Sequence, residues 1–209
     1  MLAFLFVVLQ FAQAARSAAF PKQAILSQGS RDIFGGDVGW DIRLWEAVDD
    51  RVRGGKSHSK LSPSADGGVR FSGNLDITTL GGAGFASQRT RNDIKKRWDL
   101  TSFTGLEIAT ASNTVGKKYS LNLYTDAEQA GYPYSRVNWK YSFTPGKEAE
   151  VAEPDWSDFK PYYRGKEVEG GPPLDVGSVS SWSLMCQSYF GDQEGDFGVD
   201  VMRITAVQR

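Results

Sequence analysis

Two glycine-rich segments are the first candidates for chemistry, because glycine-rich loops can hold phosphate groups with their backbone N–H donors. Residues 55–57 (Gly-Lys-Ser) match the end of a P-loop, but that motif requires a glycine at the position that Asp50 occupies here. Residues 81–84 (Gly-Gly-Ala-Gly) resemble the start of a dinucleotide fingerprint, yet Ser87 stands where its third glycine belongs. The spacing therefore predicts no nucleotide site, and we interpret the second segment as a tight turn between strands.

Catalytic nucleophiles and metal ligands are also scarce. His58 is the sole histidine, so a histidine-rich metal site is excluded, and the serines beside it do not complete a nucleophile, base and orienting group. Cys186 lies in an apolar segment, which predicts a buried and unreactive thiol. Asp192, Glu194 and Asp196 lack the glycine that a calcium-binding EF-hand loop requires, so we interpret them as part of a solvated hairpin loop.

The adjacent carboxylates of Asp49 and Asp50 are the remaining candidates for catalysis. A glycosidase places two carboxyl groups on either side of one bond, but neighbours on a strand point to opposite faces. We therefore expect these two residues to fix a loop. No residue set predicts an enzyme, a cofactor or a metal site, and we expect a protein that works by holding a partner.

The elements that position these residues are predicted to be β-strands, because apolar and polar residues alternate in segment after segment beyond about Phe34. Four sets are each predicted to share one face of a strand: Val69, Phe71, Gly73, Leu75 and Ile77; Leu106, Ile108 and Thr110; Tyr119, Leu121 and Leu123; and Val137, Trp139, Tyr141 and Phe143. The fourth set alternates with polar residues, as a strand with one buried and one solvated face requires.

The last strand contains an irregularity. Phe197, Val199 and Val201 alternate, but Ile204 is out of phase, so the pattern predicts a bulge near Met202 that returns Ile204 to the core. Helix is predicted to be minor, with at most one short turn within residues 91–98.

Short strands, glycine turns and the absence of long βαβ spacing predict two packed antiparallel sheets, in a jelly roll or a related sandwich. The chain has 209 residues, which is enough to bury a core without disulfide bonds. We predict a leader or poorly ordered segment over residues 1–33 and one sandwich domain over residues 34–209. Lys and Arg total 24 against 25 acidic residues, so no overall field attracts nucleic acid or an anionic membrane, and any basic site must be local.

The amino terminus allows three interpretations. Residues 2–9 are apolar and are followed by Ala-Gln-Ala, as in a secretory signal peptide, but no basic residue precedes them. The basic and small residues of the first 31 positions, with no acid before Asp32, instead indicate a mitochondrial presequence. The third interpretation is a poorly ordered leader or an imprecise start codon, as in a cytoplasmic protein. The apolar run is too short to span a bilayer, and we predict no transmembrane segment.

Six motifs follow one another in the order found in one known family. They are WEAVDDRVRGGKSHS at 45–59, TLGGAGFASQR at 79–89, WDLTSFTGLEI at 98–108, YYRGK at 162–166, PPLDVGSV at 172–179 and FGDQEGDFGVDVMRI at 190–204. Over about residues 34 to 207 the chain resembles the complex I intermediate-associated protein family, the NADH:ubiquinone oxidoreductase assembly-factor domain, in a short stand-alone form. Family members that act in this assembly generally carry a longer amino-terminal extension with an evident presequence.

The resemblance implies a galactose-binding-like jelly roll and a non-catalytic, chaperone-like role in assembling mitochondrial complex I, with a complex I assembly intermediate as a possible protein partner. In the shared loop, Arg51, Arg53 and Lys56 bring three cations close together beside Gly54 and Gly55. Charge-assisted hydrogen bonds from such a loop suit an acidic or carbonyl-rich partner surface. The candidate partner-binding residues are Arg51, Arg53, Lys56, Ser57, Arg89 and Arg164.

A structural role for the same loop stays open. Asp49 and Asp50 could pair with Arg51 and with Arg89 or Arg164 to close one end of the sandwich, and Gly54 and Gly55 would then serve the fold. Two function classes also stay open: a protein-binding assembly factor, and a carbohydrate-binding jelly-roll module. The sequence leaves the oligomeric state undetermined.

Overall fold

The computed structural model describes residues 29–93, 95–112, 114, 116–126 and 136–209. Strands and five short 3-10 helices make up the regular structure of these residues, which confirms the all-β prediction. The strands are β1 (Ser30–Gly35), β2 (Trp45–Ala47), β3 (His58–Pro63), β4 (Val69–Leu75), β5 (Phe85–Thr90), β6 (Gly105–Ser112), β7 (Tyr119–Thr125), β8 (Asn138–Phe143), β9 (Glu150–Ala152), β10 (Lys160–Tyr163), β11 (Lys166–Glu167), β12 (Val179–Gln187) and β13 (Gly195–Val207). The 3-10 helices span Gly36–Val38, Ile42–Leu44, Asp50–Arg53, Trp156–Asp158 and Val176–Ser178.

The strands form two antiparallel sheets that enclose one apolar core, as the jelly-roll prediction requires. The first sheet has the order β3-β4-β13-β6-β9, and β1 also pairs with β13. The second sheet has the order β11-β10-β8-β7-β12-β5-β2. The pairs β3-β4, β7-β8 and β10-β11 are consecutive along the chain, whereas pairs such as β4-β13 and β5-β12 join distant segments.

Strand β13 is the centre of the first sheet. One side pairs with β6, while the other pairs first with β4 and then, from Arg203 onward, with β1. The register with β6 shifts between Val201 and Arg203, which confirms the predicted bulge near Met202. Because of this shift Ile204 is fully buried in phase with the preceding apolar residues.

The first strand begins earlier than the predicted domain limit at residue 34. β1 starts at Ser30, and its residues Ile33 and Phe34 are both buried in the core. Residues 1–28, which include the apolar run at 2–9, lie outside the described residues.

Two local predictions differ from the structure. β4 ends at Leu75, so the expectation that Ile77 continues this strand is wrong. The reason is a turn in which the Asp76 carboxylate accepts hydrogen bonds from the Thr79 backbone N–H, at 3.0 Å, and from the Thr78 hydroxyl. The described residues of the segment 91–98 contain no helical turn.

Aromatic side chains fill the core at one end of the sandwich. The Phe34 ring contacts those of Trp45, Trp98 and Trp182 at centroid distances of 5.1 to 5.9 Å. Trp98 is therefore a core residue. Trp139 on β8 is 2% exposed, in agreement with its predicted apolar face. This close packing supports the second sheet from its inner face.

Candidate functional site

The second sheet has an apolar inner face and a polar outer face. In β12, the core residues Trp182, Leu184 and Cys186 alternate with Ser183, Met185 and Gln187 on the other side. The antiparallel register then aligns four polar residues, one from each of β5, β12, β7 and β8, in a row across the outer face: Arg89, Ser183, Asn122 and Lys140. The period of two in each strand thus builds a continuous polar surface.

This outer face is the floor of a cleft with a volume of about 750 Å³, a size typical of ligand-binding sites. Its walls come from the 3-10 helix Asp50–Arg53, the segment 188–190 and the β10–β11 hairpin. Seven cations line the cleft: Arg53, Arg89, Arg97, Arg136, Lys140, Arg164 and Lys166. The described lining contains one carboxylate, that of Asp126. We refer to this site as the basic cleft.

Few of the seven cations have carboxylate partners. Arg97 pairs with Asp126, and Arg89 Nη2 lies 3.6 Å from Glu46 Oε1 outside the lining. The other five cations form no ion pair with the part of the chain that the structure describes. The basic cleft therefore carries a net positive charge.

Lys140 lies in the floor of the basic cleft and is only 5% exposed. Its Nζ donates a hydrogen bond to Gln187 Oε1 at 2.7 Å and lies 4.3 Å from the centre of the Tyr162 ring. Burial, and to a smaller extent the nearby Lys118 cation, lowers the pKa of Lys140 to about 8. The ammonium group is thus held in a site where its charge is poorly stabilised.

Several aromatic rings in and beside the basic cleft have a cation over one face. Arg53 lies over Phe85, Arg89 over Tyr124, and Lys118 over Tyr189, at 4.9 to 5.9 Å from the ring centres. A cation–π contact contributes about 0.5–1 kcal/mol at exposed sites, whereas a hydrogen bond to a charged group contributes about 1.5–3 kcal/mol. An anion that enters the cleft can therefore compete successfully for these cations.

The serine hydroxyls of the cleft are mostly engaged within the protein. Ser180 donates to Tyr124 O, Ser188 donates to Gly82 O at 2.8 Å, and Ser87 donates to a backbone carbonyl. Ser181 Oγ lies 2.9 Å from Thr90 Oγ1 and shares a hydrogen bond with it. The seven cationic side chains consequently supply most of the donors that remain available to a ligand, and Asn92 and Ser183 add neutral polar groups.

Below the cleft surface, the floor contains polar atoms with unused hydrogen-bonding capacity. Asn122 is fully buried between Ser183 and Lys140 in the polar row, and its Oδ1 accepts no hydrogen bond from the described residues. Ser120, on the same strand, has an unpaired Oγ within that part of the chain. Unpaired buried groups usually cost stability and frequently mark binding sites.

The loop at 49–57 supports one wall through its two buried carboxylates. Asp50 accepts hydrogen bonds from the backbone N–H groups of Ser57 at 3.0 Å and Phe85 at 3.1 Å. Asp49 accepts from Ser59 and Ser87 and also pairs with Arg51 at 3.1 Å. These carboxylates are satisfied mainly by fixed donors, and they join the loop to β3 and β5.

Gly54 and Gly55 of this loop are each required for a different reason. Gly54 ends the 3-10 helix in a left-handed conformation with φ 84°, which other residues rarely adopt. At Gly55 a Cβ atom would lie 2.3 Å from Asp50 Oδ1. Any larger residue there would displace the buried carboxylate.

The structure brings together three of the six predicted partner-binding residues. Arg53, Arg89 and Arg164 line the basic cleft, although they are far apart in the sequence. Arg51 and Lys56 are exposed on the adjacent loop and do not line it.

Ser57 is fully buried, and its hydroxyl accepts a hydrogen bond from the Asp76 backbone N–H at 3.0 Å. Of the pairings considered for the aspartates, only that between Asp49 and Arg51 is observed in the described residues, since Arg89 pairs with Glu46.

Four cations of the basic cleft were not predicted as site residues: Arg97, Arg136, Lys140 and Lys166. Lys140 carried a usable signal, because it alternates with Trp139 and Tyr141 and therefore belongs to the outer face of its strand. A lysine in the middle of such a strand, flanked by large apolar residues, is therefore a candidate site residue on the outer face.

The groups expected to be unreactive have positions that agree with this expectation. Cys186 is fully buried, and burial raises the pKa of its thiol to about 12. His58 is exposed on β3, in the other sheet. Within the described ranges, no group of three or more His, Cys, Asp or Glu side chains is arranged to hold a metal ion.

The sandwich fold is shared with carbohydrate-binding modules. The chain is similar in structure to the family 11 carbohydrate-binding module from Clostridium thermocellum in complex with a β-1,3-1,4-mixed-linked tetrasaccharide, with a TM-score of 0.59 and 17% identity over 86% of this chain and 96% of that one. A second structure, the family 11 module of the cellulosomal cellulase Lic26A-Cel5E of C. thermocellum, gives a TM-score of 0.57 and 18% identity over 87% and 95% of the two chains. At these identities the likeness concerns the fold.

The sequence identifies the family. The chain belongs to the complex I intermediate-associated protein 30 family, which matches residues 34–201. It is also 40% identical over 187 residues to an uncharacterized protein of Schizosaccharomyces pombe, covering 85% of this chain and 84% of that protein. Across the described residues, no helix is long and apolar enough to cross a membrane.

Proposed function

We propose that this chain is a non-catalytic, chaperone-like binding protein that holds a protein partner during the assembly of mitochondrial respiratory complex I. The observation that carries the proposal is the family match, which spans nearly the whole described sandwich from residue 34 to residue 201. The family's name refers to a complex I intermediate, and the proposal extends that role to this chain.

The basic cleft is the proposed partner-binding surface. It is large, concave and polar, and only two of its seven cations pair with a carboxylate of the described residues. The loop residues Arg51 and Lys56 extend the same positive surface beyond the wall that Arg53 contributes. The arrangement suits binding rather than catalysis, because the cleft contains cations and hydroxyl groups but neither the histidine nor the cysteine.

The experiment uses cells of the source organism in which the gene has been deleted. Native gel electrophoresis of mitochondrial membranes should show reduced mature complex I and an accumulated assembly intermediate. A carboxyl-terminally tagged wild-type chain should restore assembly, localise to mitochondria and cross-link to a subunit of that intermediate. Normal complex I in the deletion strain would refute the assembly role.

A carbohydrate-binding function is the second candidate, and one observation favours it. Phe190 at the rim of the cleft is 81% exposed on a left-handed backbone with φ 62°, so its ring is available for stacking on a sugar. Calorimetric titration with neutral β-glucan oligosaccharides tests this candidate. Measurable binding that is lost in Phe190→Ala would support it, and no binding would remove it.

A further inference from the structure

We propose that the basic cleft binds an extended, carboxylate-rich segment of a protein partner, and that Lys140 holds one of its carboxylates at the floor. The inference rests on the proposed function in one respect, since it takes the partner to be a protein. It adds the chemistry by which that partner is recognised.

The charge distribution favours a ligand with several anionic groups. Arg89 on β5, the neighbour of β12, and Arg53, whose guanidinium lies over the Phe85 ring of β5, are toward one side of the cleft, whereas Arg164 and Lys166 come from the β10–β11 hairpin at the opposite edge of the sheet. Lys140 lies between them on β8. A single phosphate would bind to one of these three groups of cations. A peptide with successive Asp or Glu residues can contact all three groups.

The backbone of the β10–β11 hairpin presents its cations at the rim. Arg164 and Gly165 both have positive φ angles, of 51° and 84°, and they form a two-residue turn between the paired residues Tyr163 and Lys166. This turn fixes the backbone of Arg164. The Arg164 side chain forms no ion pair with any described residue.

The same contacts argue against a neutral sugar as the ligand. Sugar recognition relies on free aromatic faces and on hydroxyl or amide donors, but Phe85, Tyr124 and Tyr189 each have a cation over one face, which leaves Phe190 at the rim as the lining ring free for stacking. Ser87, Ser180 and Ser188 already donate their protons within the protein. Most of the unengaged donors are cations, and their best partners are groups that only accept hydrogen bonds, such as carboxylates.

Fluorescence anisotropy on the purified full chain tests the inference with a labelled oligoglutamate peptide. The comparison ligands are an oligoglutamine peptide of equal length, an oligogalacturonate as an acidic sugar, and a mixed-linked β-glucan oligosaccharide. We expect oligoglutamate to bind at least about 10-fold more tightly than each of the others, and to weaken at least about 10-fold between about 50 mM and 500 mM NaCl. Equal or tighter binding of oligogalacturonate, or of either neutral ligand, would overturn the proposal.

Three variants locate the binding site. Lys140→Met keeps the length of the buried stem and should weaken oligoglutamate binding about 10-fold or more. The double variant Arg164→Gln, Lys166→Gln changes only rim residues and should weaken it about 3- to 10-fold. Lys60→Gln removes an exposed cation from β3 in the other sheet and should leave the affinity unchanged. Melting temperatures identify any variant that is misfolded, and unchanged affinity in both folded cleft variants would overturn the assignment to the cleft.

The outcome is separable from that of the assembly test. If oligoglutamate fails to bind while the gene deletion still blocks complex I assembly, the acidic-peptide inference is wrong and the assembly role stands. If oligoglutamate binds through Lys140 and the deletion leaves complex I intact, the peptide chemistry stands and the client belongs to another process.

Discussion

Among single residues, Lys140 has the highest electrostatic cost in the basic cleft. Its ammonium group is buried in the middle of a sheet, and its described contacts are a neutral amide and an aromatic ring. Lys118 adds repulsion from the adjacent strand region. Residues of this kind are uncommon in positions that serve only the fold, because a neutral side chain of the same length would be more stable there.

This cost should appear in the pH dependence of stability. The pKa of Lys140 is about 8 in the folded chain and 10.5 as the reference value, so the unfolded chain binds more protons between these pH values. The free energy of unfolding contributed by this residue should therefore rise with pH across that window, by at most about 3 kcal/mol. Urea denaturation at several pH values measures it.

Lys140→Met provides the reference for that measurement. The variant should be more stable than the wild type at pH 7, and the difference should decrease as the pH approaches 10, because the wild-type lysine is then neutral. Tyrosines with raised pKa values, such as Tyr124 and Tyr141, contribute equally to both proteins. A constant difference at all pH values would contradict the assignment of a strained charge.

At the scale of elements, the loop at 49–57 combines a fixed interior with a charged exterior. Asp49 and Asp50 are 2% and 0% exposed and bind backbone donors, whereas the Arg51 side chain is 61% exposed. The two parts of the loop should consequently respond differently to mutation. Only the interior part is expected to determine the conformation of the loop.

Substitution of Arg51, Arg53 and Lys56 together by Gln should reduce the free energy of unfolding by less than about 1 kcal/mol, because the one ion pair lost is largely exposed. Asp50→Ala should cost about 3–5 kcal/mol, since it leaves two buried N–H groups without an acceptor. Asp66→Ala, in an exposed turn, is the matched control. Chemical denaturation measures the free energy of unfolding of each variant. A large decrease in the triple variant would show that the cations close the sandwich.

The cations of the same loop differ in their position relative to the basic cleft. Arg53→Gln should reduce cross-linked partner yield because Arg53 lines the cleft, whereas the pair Arg51→Gln, Lys56→Gln should have a smaller effect. Equal losses would extend the binding surface over the whole loop. No loss in either variant would exclude the loop from partner binding.

For the whole molecule, the sandwich depends on an early strand that pairs with the last one. β1 forms five residue pairs with β13 and buries Ile33 and Phe34. A boundary placed at residue 34 would cut through this strand, and we propose that the folding unit begins before Ser30.

Two chains test this boundary, one beginning at Gly29 and one beginning at Gly36. The shorter chain loses two buried apolar side chains and one strand of the first sheet, which should cost at least about 5 kcal/mol. A typical domain has about 5–15 kcal/mol of stability, so the shorter chain should be unfolded or melt at a much lower temperature. Thermal melts followed by circular dichroism compare the two, and equal melting temperatures would show that β1 is dispensable.

The strands and the core were predictable because each depends on a local period of two. The burial of Trp139 and Ile204 and the bulge between Val201 and Arg203 follow from which positions are apolar. The basic cleft was only partly predictable, since Arg53, Arg89 and Arg164 meet through the order of strands rather than through the sequence. The near-zero net charge also concealed it, because acidic residues elsewhere balance the cations of the cleft.

The central position of β13 has a consequence for biosynthesis. Its partners β1, β4 and β6 are all made earlier, but they remain without their common neighbour until β13 itself has been made. Pairing over such long separations makes folding slow, and unpaired strand edges promote aggregation in the meantime. The first sheet can therefore close only after β13 has been synthesised, and a premature stop before Gly195 would leave a nascent chain with its edges exposed and no route to the native state.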